Sequence, residues 1–288
     1  MKTRLTLGIV CLSLLSITAF AQEDGDYQLD KVFSMDSDGT LYLRSEDANV
    51  RITGSDRSDV RVVIDRIEEI RGASSRKRSY EMEIEEKGGD LYMTEKKRSS
   101  GWNVGYYRLD YDITIELPMN ASLKIDGEDD DYLIKSVNGS IRLQTEDGDV
   151  ELVSCNGDDF EIELEDGDLR MDGGKGSLYL NMEDGDADVR NGNFDKVEVR
   201  TEDGDVILET ALIDDGVYDI DGEDATVELV VLNGGGEFNI TKDDARVSAT
   251  RDFELMRETD SRVSYKLKAG DADVRIRTND GRVRLSKN

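Results

Sequence analysis

One acidic phrase recurs along this chain and constrains its fold more than any other feature. The phrase EDGDV at 146–150 returns in similar form at residues 165–169, 183–187, 202–206, 223–227 and 243–247. The apolar residues that close these phrases are 19, 18, 19, 21 and 20 residues apart. This period is typical of a solenoid, in which each repeat buries its apolar face against its neighbours. Related phrases lie at 46–50, 271–274 and 280–283.

Between these phrases, apolar and polar residues alternate with a period of two. Examples are FEIEL at 160–164 and LYLNM at 178–182. This alternation buries one face of a β-strand. Turns such as Asn138-Gly139 and Asn156-Gly157 divide each period into two short strands. Asn-Gly also favours hairpins, so an antiparallel meander is the main alternative, but equal phrases at one period favour parallel stacking.

The predicted fold is therefore all-β: a parallel β-solenoid, or β-helix, with about two short strands per turn of about 19 residues and an irregular N-terminal β cap. Burial of each large apolar side chain contributes roughly 1.5 to 3 kcal/mol to the core. The Gly of each phrase suits a turn with positive φ, and its Asp side chains are expected to hydrogen-bond the turn's own backbone. The residues expected to point inward are Val150, Leu152, Phe160, Ile162, Leu164, Leu169, Met171, Leu178, Leu180, Met182, Val197, Val199, Val206, Leu208, Ile220, Val227, Leu229, Phe238, Ile240 and Val247.

The N-terminal part of the chain is less regular. Residues 1–21 are a predicted signal peptide, because a basic start and an apolar run precede the small-x-small site Ala19-Phe20-Ala21. The mature chain is expected to comprise a flexible segment at 22–28, irregular β coils that form a cap at 29–117, and the repetitive solenoid at 118–288, with 29–288 as one continuous domain. No later apolar run approaches the roughly 20 residues of a membrane span, so we expect an exported periplasmic, extracellular or cell-surface protein.

Composition excludes several kinds of chemistry and partner. The sequence contains no His, which excludes a Ser/His/Asp triad, a Cys/His pair and a His-ligated zinc site. Cys155 is the single cysteine after the predicted signal peptide, so a disulfide within the mature chain is excluded. The net charge of −29 argues against nucleic acid or an anionic membrane surface as a partner. No cofactor is predicted apart from a possible Ca²⁺ ion.

A family resemblance rests on three stretches that lead into the repeats: YDITIELP at 111–118, LKI at 123–125 and LIKSVNGSI at 133–141. With the Asp-Gly-Asp phrases that follow, they resemble the bacterial putative-adhesin family over roughly residues 29–288. The resemblance implies an exported, repetitive β protein of adhesin-like character without assigned activity. It offers no catalytic residues to carry over, because its motifs are structural.

The first of three functional hypotheses follows from that resemblance. It is a non-enzymatic, adhesin-like scaffold that presents charged strand faces to an envelope protein or glycan. Trp102, Tyr106 and Tyr107 are the candidate partner-binding residues, since aromatic rings stack on sugars or meet partners, although they also cover solenoid ends. Weak self-association is expected if basic C-terminal turns form a solenoid end that meets an acidic flank. These turns contain Arg275, Arg277, Arg282 and Arg284.

The second hypothesis is a calcium-stabilised acidic repeat protein. Carboxylates stacked at a strand spacing of roughly 4.8 Å repel by about 1 kcal/mol per pair even in water. Calcium prefers such oxygen ligands. Neither an EF-hand loop nor the Gly-Gly-x-Gly-x-Asp nonapeptide occurs, so hydrated turn carboxylates are the alternative. The candidate ligands are Asp147, Asp149, Asp166, Asp168, Asp184, Asp186, Asp203, Asp205 and Asp224.

The third hypothesis is a β-helical carbohydrate-active enzyme, because two carboxylates alone can cleave a glycosidic bond. Acidic residues recur in every turn, however, so the repeat explains them better than a site does. Only the stretch DGEDDD at 126–131 has a local excess of carboxylates, and a turn with additional acidic residues accounts for it. The sequence therefore predicts a protein that is not an enzyme.

Overall fold

The chain folds almost entirely into β-strands that go round one axis. The computed structural model describes residues 26–71, 80–96, 106–268 and 270–288. The predicted signal peptide at 1–21 and Trp102 lie outside these residues. The described residues contain no helix, and therefore none that could cross a membrane. The prediction of an all-β, solenoid-like chain is confirmed.

The described residues form 21 strands. They are β1 (Tyr27–Phe33), β2 (Thr40–Arg44), β3 (Asn49–Ser55), β4 (Val60–Arg71), β5 (Met82–Lys87), β6 (Asp90–Glu95), β7 (Tyr106–Pro118), β8 (Ser122–Asp126), β9 (Asp131–Lys135), β10 (Ile141–Asp147), β11 (Val150–Val153), β12 (Asp159–Asp166), β13 (Leu169–Asp172), β14 (Lys175–Asp184), β15 (Ala187–Thr210), β16 (Val217–Val231), β17 (Gly236–Lys242), β18 (Arg246–Ala249), β19 (Phe253–Glu258), β20 (Arg262–Leu267) and β21 (Ala272–Lys287).

Two rows of strands run along the axis and enclose one core. In the first row, β8, β10, β12 and β14 pair side by side in parallel. In the second row, β9, β11, β13 and the start of β15 do the same. Strands β15, β16 and β21 are long enough to contribute to both rows. Asn138-Gly139 and Asn156-Gly157 therefore connect strands of different rows rather than close hairpins.

Both ends of the stack depart from sequence order. Strands β2 and β3 lie between β6–β7 on one side and β8–β9 on the other. At the opposite end, β21 lies between β16 and β17–β18. Within the predicted solenoid at 118–288, each turn therefore stacks on the previous one from β8 to β16, and the departure of β21 from that order was not predicted. The early phrase at 46–50 occupies a level of the stack instead of standing alone.

Antiparallel strands close the ends. They are β1, β4 and β7 in the second row, and β5 with β6 in the first row. At the far end β17, β20 and β19 form an antiparallel sheet, and a bulge interrupts β19 between Leu255 and Arg257. Bulges on edge strands hinder pairing with another chain, so this edge is protected.

The basic C-terminal turns do not form a solenoid end, and that premise of the self-association hypothesis is wrong. They belong to β21, which has a neighbour on each side in both rows. Arg277 also pairs with Asp219 and Asp221 within the chain. Arg284 pairs with Glu228 at 3.6 Å. Arg275 pairs with the adjacent Asp273.

The core agrees closely with the predicted inward residues. All of them are buried except Val247, which is partly buried because β18 is the outermost strand of the second row. The largest buried side chains include Tyr111, Tyr218 and Phe194, which sequence patterning did not select. The Tyr218 hydroxyl donates to the Phe194 carbonyl oxygen at 2.6 Å. Burial of this phenol therefore leaves no unsatisfied hydroxyl.

Glycine at the third position of the acidic phrase allows successive levels to approach closely. Gly148, Gly167, Gly185 and Gly204 have φ values from 108° to 138°, as expected from the sequence. A Cβ atom on Gly185 would overlap the carbonyl oxygen of Gly167 in the preceding level. Two constraints thus select glycine here: the left-handed backbone and the neighbouring carbonyl group.

We expect Gly185→Ala to lower the free energy of unfolding by about 2 to 4 kcal/mol, because the methyl group adds backbone overlap to conformational strain. Gly88→Ala is the matched control. Gly88 also has a positive φ, of 66°, but no atom lies within 4 Å of the position that the added methyl group would take. Strain alone should cost about 1 kcal/mol there. Denaturant unfolding measures both variants, and equal losses would contradict the role of close approach.

Candidate functional site

The acidic phrases stack into a continuous ridge where the two strand rows meet. We define the acidic ridge as residues 128–131, 146–149, 165–168, 183–186, 202–205 and 223–226. Strand register aligns Asp147 with Asp166 and Asp166 with Asp184. It also aligns Asp203 with Asp224. These five carboxylates are exposed, so the ridge presents one row of negative charge to solvent.

A second row of carboxylates in the ridge accepts hydrogen bonds between levels. The backbone N–H of Asp149 donates to Asp131 Oδ1 at 3.0 Å, and that of Asp168 donates to Asp149 Oδ1 at 3.0 Å. The backbone N–H of Asp186 donates to Asp168 Oδ1 at 3.1 Å, and that of Asp205 donates to Asp186 Oδ1 at 2.8 Å. The expectation that these side chains bond the backbone of their own turn is therefore wrong. They link each level to the next.

The nine predicted calcium ligands thus lie in two largely exposed rows. In the second row, the carboxylates of Asp149, Asp168 and Asp186 accept backbone N–H groups of the next level. Within the described residues, no group of three or more Asp, Glu, Cys or His side chains is arranged to hold a metal ion. Asp168 also accepts from Arg170 at 3.1 Å through its second oxygen. The calcium hypothesis stays a prediction, and the exposed row with Asp147 and Asp224 is the part of the ridge to which it applies best.

Asp130 is the exception in the acidic ridge, because its side chain is fully buried. It lies level with Gly148 of the next turn. Its Oδ1 accepts the backbone N–H of Ala48 at 2.6 Å. Its Oδ2 accepts the hydroxyl groups of Ser45 at 3.1 Å and Tyr132 at 3.0 Å. The exceptional stretch at 126–131 therefore anchors the inserted β2–β3 segment, and Asp130 has no surface to offer a glycoside.

The environment of Asp130 destabilises the charged form of its carboxyl group. Burial raises the pKa of its carboxyl from the usual 3.8 to about 6, and the hydrogen bonds from Ala48, Tyr132 and Ser45 oppose this rise. The folded protein therefore holds a proton on Asp130 more tightly than the unfolded chain. Above about pH 6 the charged group destabilises the fold, and this cost disappears as the pH falls toward 4.

A second carboxylate, the half-buried Glu95, lies on the opposite side of the same turn. It ends β6, which pairs with β2 on the side away from β8. Glu95 accepts the Tyr111 hydroxyl at 3.2 Å and a hydrogen bond from the backbone of Glu46. Burial raises the pKa of Glu95 to about 7, and Tyr111, Arg66 and the Glu46 backbone oppose the rise. Turn 45–48 is therefore held by Asp130 from one side and by Glu95 from the other.

Aromatic rings complete the surroundings of Glu95. The Tyr111 hydroxyl lies 2.5 Å from that of Tyr80. The Arg66 guanidinium lies 4.9 Å from the ring centroid of Tyr80 and 5.9 Å from that of Tyr111. Burial raises the pKa of both tyrosines. This cluster packs the cap against the first level. Sequence analysis had placed these tyrosines in strands and had not predicted this packing role.

A shallow groove on the first strand row brings together exposed groups that sequence reasoning missed. The rings of Tyr92 and Tyr42 stack with centroids 4.3 Å apart and an angle of 4° between planes. Lys124 Nζ lies 5.5 Å from the Tyr42 ring centroid, and Arg142 follows at the next level. We call these four residues together with Arg44 the tyrosine groove. Its cavity has a volume of about 290 Å³ and is lined by all of them except Tyr92, which lies beside it against Tyr42. Pairing register alone aligns these residues, which come from four separate strands.

The predicted partner-binding tyrosines lie elsewhere. Tyr106 and Tyr107 begin β7 in the second row, opposite Arg71 and Ile70 of β4. Their side chains are 53% and 42% exposed. The Arg71 guanidinium lies 6.0 Å from the Tyr106 ring centroid. The structure therefore separates this pair from the tyrosine groove in the first row.

We expect Asp130→Ala to lower the free energy of unfolding by about 2 to 4 kcal/mol, because the buried donors of Ala48, Ser45 and Tyr132 lose their acceptor. Asp130→Asn is the matched variant, since its amide keeps an acceptor without the charge. Relative to the natural protein, the Asn variant should become more favourable by about 1 to 3 kcal/mol as the pH rises from 4 to 8. Urea unfolding across this range measures both effects. A pH-independent difference would contradict the assignment of a raised pKa to Asp130.

Comparison with known proteins places this fold in a family. The Toastrack DUF4097 family matches residues 39–286. No curated protein matches the chain. Among solved structures, a putative adhesin from Bacteroides fragilis is 10% identical over 90% of this chain and 97% of its own, with a TM-score of 0.48. A putative lipid binding protein from Parabacteroides distasonis is 15% identical over 92% and 99%, with a TM-score of 0.42.

A third solved structure, a putative cell adhesion protein from Clostridium sporogenes, is 13% identical over 91% of this chain and 100% of its own, with a TM-score of 0.30. Likenesses at these levels carry no functional conclusion. The family match is different, because it extends through the inserted β2–β3 segment, the acidic ridge and β21. The resemblance found in the sequence is thereby confirmed, and the chain belongs to the Toastrack DUF4097 family.

Proposed function

We propose that this protein is a non-enzymatic, exported, adhesin-like scaffold that presents charged strand faces to an envelope protein or glycan. The observation that carries the proposal is the alignment of outward side chains into rows along the paired strands. In the first row, Tyr92, Tyr42, Lys124, Arg142 and Glu161 follow one another level by level. A solenoid of about two strands per turn of about 19 residues repeats such groups at roughly 4.8 Å. The predicted signal peptide supports a periplasmic or cell-surface location.

The ion pairs between charged side chains on these faces are weak. Arg142 Nε donates to Glu161 Oε2 at 2.7 Å, and Arg200 Nη2 lies 2.6 Å from Glu198 Oε1. The arginine side chains of both pairs are 58% exposed. Exposed ion pairs contribute about 0 to 1 kcal/mol to stability. A partner can therefore recruit these groups at little cost to the fold, which suits a binding surface.

The test is retention of the purified mature protein on isolated envelope glycans and envelope proteins. We expect saturable binding to at least one fraction that weakens with salt, since exposed charges are screened over about 8 Å at physiological ionic strength. Heat-unfolded protein is the control for nonspecific adsorption. Absence of binding to every fraction would contradict the scaffold proposal. Release of shortened glycans during incubation would contradict the non-enzymatic part and favour the glycosidase alternative.

Calcium stabilisation is a second candidate, and the exposed row of the acidic ridge favours it. Asp147, Asp166 and Asp184 lie in register at successive levels. Asp203 and Asp224 are likewise in register, and all five side chains are exposed. Like charges at this spacing repel, and a divalent cation between levels would reduce that repulsion. In this proposal calcium stabilises the fold and takes no part in any reaction.

We expect millimolar calcium to raise the midpoint of thermal unfolding, measured by circular dichroism, by several degrees above its value in EDTA. A ligand of the native state at about 100 times its Kd contributes about 2.7 kcal/mol. The double variant Asp184→Asn/Asp203→Asn should lose most of the rise, whereas Asp260→Asn, an exposed Asp outside the ridge, should keep it. An equal rise in magnesium would indicate charge screening, and an unchanged midpoint would reject the calcium site.

A further inference from the structure

We infer that the tyrosine groove binds an acidic oligosaccharide, a chain of sugars that carry carboxylate groups. This inference rests on the proposed scaffold function and names the ligand of one of its faces. It depends on the charge of the groove, on the arrangement of its hydroxyl and cationic groups, and on its position in the middle of the sheet.

The groove is cationic on a strongly acidic protein. Arg44, Lys124 and Arg142 line it, and Asp126 is the one carboxylate among its lining residues. Arg44 and Asp126 are 3.7 Å apart with side chains 53% and 60% exposed, so their pairing is weak. The chain as a whole has a net charge of −29. A local excess of positive charge in this background attracts an anionic ligand.

The polar groups of the groove form a regular row. Tyr92, Tyr42, Lys124 and Arg142 occupy four consecutive levels of the first row. At the strand spacing of roughly 4.8 Å, they extend over about 14 Å. The tyrosine hydroxyls can donate and accept hydrogen bonds, and the cations donate to carboxylates. This step is similar to the advance of one sugar unit in an extended glycan, so successive levels can meet successive sugars.

Glu161 is the neighbour of Arg142 on the side away from the tyrosines. It lies at the level beyond Arg142 and accepts from Arg142 Nε at 2.7 Å. Because this pair is exposed and contributes little to stability, Arg142 can also turn toward a ligand. Arginine carries five N–H donors, so a ligand carboxylate can be received in addition to Glu161.

The position of the groove favours a glycan over an acidic peptide. Strands β6, β2, β8 and β10 each have a neighbour on both sides, so no backbone edge is open to an added peptide strand. The apolar residues at its base, Leu43, Met93 and Ile125, are only 2%, 0% and 3% exposed. These core side chains are therefore not accessible to an inserted side chain or acyl chain. Hydroxyl and carboxylate groups are the chemistry that the groove matches.

The experiment is calorimetric titration of the purified mature protein with an oligogalacturonate at low salt. We expect Lys124→Gln/Arg142→Gln to weaken binding at least tenfold. Tyr42→Phe, which removes one hydroxyl group and preserves the ring stack, should weaken it a few-fold. Lys175→Gln/Arg190→Gln is the matched control, because it removes two cations that are 52% and 51% exposed outside the groove. The control should retain affinity within about twofold, and circular dichroism checks that every variant is folded.

Three outcomes would overturn the inference. Equal affinity for a neutral oligosaccharide of the same length would show that the cations do not select the ligand. Equal affinity for oligoglutamate, lost in the same groove variant, would assign the groove to an acidic peptide instead. No binding of oligogalacturonate would remove the ligand assignment alone, because retention on envelope fractions tests the scaffold function separately.

Discussion

The structure depends on backbone contact between successive levels at the acidic ridge. Each phrase that contains glycine at its third position places it against a carbonyl group of the neighbouring level, as Gly185 lies against Gly167. The following Asp donates its N–H to a carboxylate of that same level, as Asp186 does to Asp168. These two contacts keep neighbouring levels in one register. Because side chains alternate along a strand, a slip of one residue would turn the apolar set outward, so the common core follows from this contact.

The ends of the stack are stabilised by a different device. The N-terminal segment β2–β3 and the C-terminal strand β21 each lie one level inside an end of the parallel stack. Both edges of each are therefore paired. Two carboxylates reinforce the first insertion, because the buried Asp130 and the half-buried Glu95 hold turn 45–48 from its two sides. Burial raises the pKa of both carboxyl groups, so the cost of their charge to the fold falls as the pH becomes mildly acidic.

The proposed binding faces are a consequence of the same register. A row such as Tyr92, Tyr42, Lys124 and Arg142 exists only because four strands align at equal positions. The segments that contribute to it are far apart in sequence, and the inserted β2 supplies its central tyrosine. Insertion of β2 therefore also places Tyr42 between Tyr92 of the cap strand β6 and the cations of β8 and β10.

Local patterning by itself determined the strands, the inward residues and the glycine turns of this protein. Period-two alternation decides which side chains are buried, and the left-handed backbone of the EDGD turns requires glycine at one position. The tertiary structure alone decided the order of levels at the ends, the burial of Asp130 and the tyrosine groove. The physical reason is that β2–β3 and β21 carry the same local pattern as every other level. Their places are set by which long-range pairings leave the fewest unpaired edges and the most complete core.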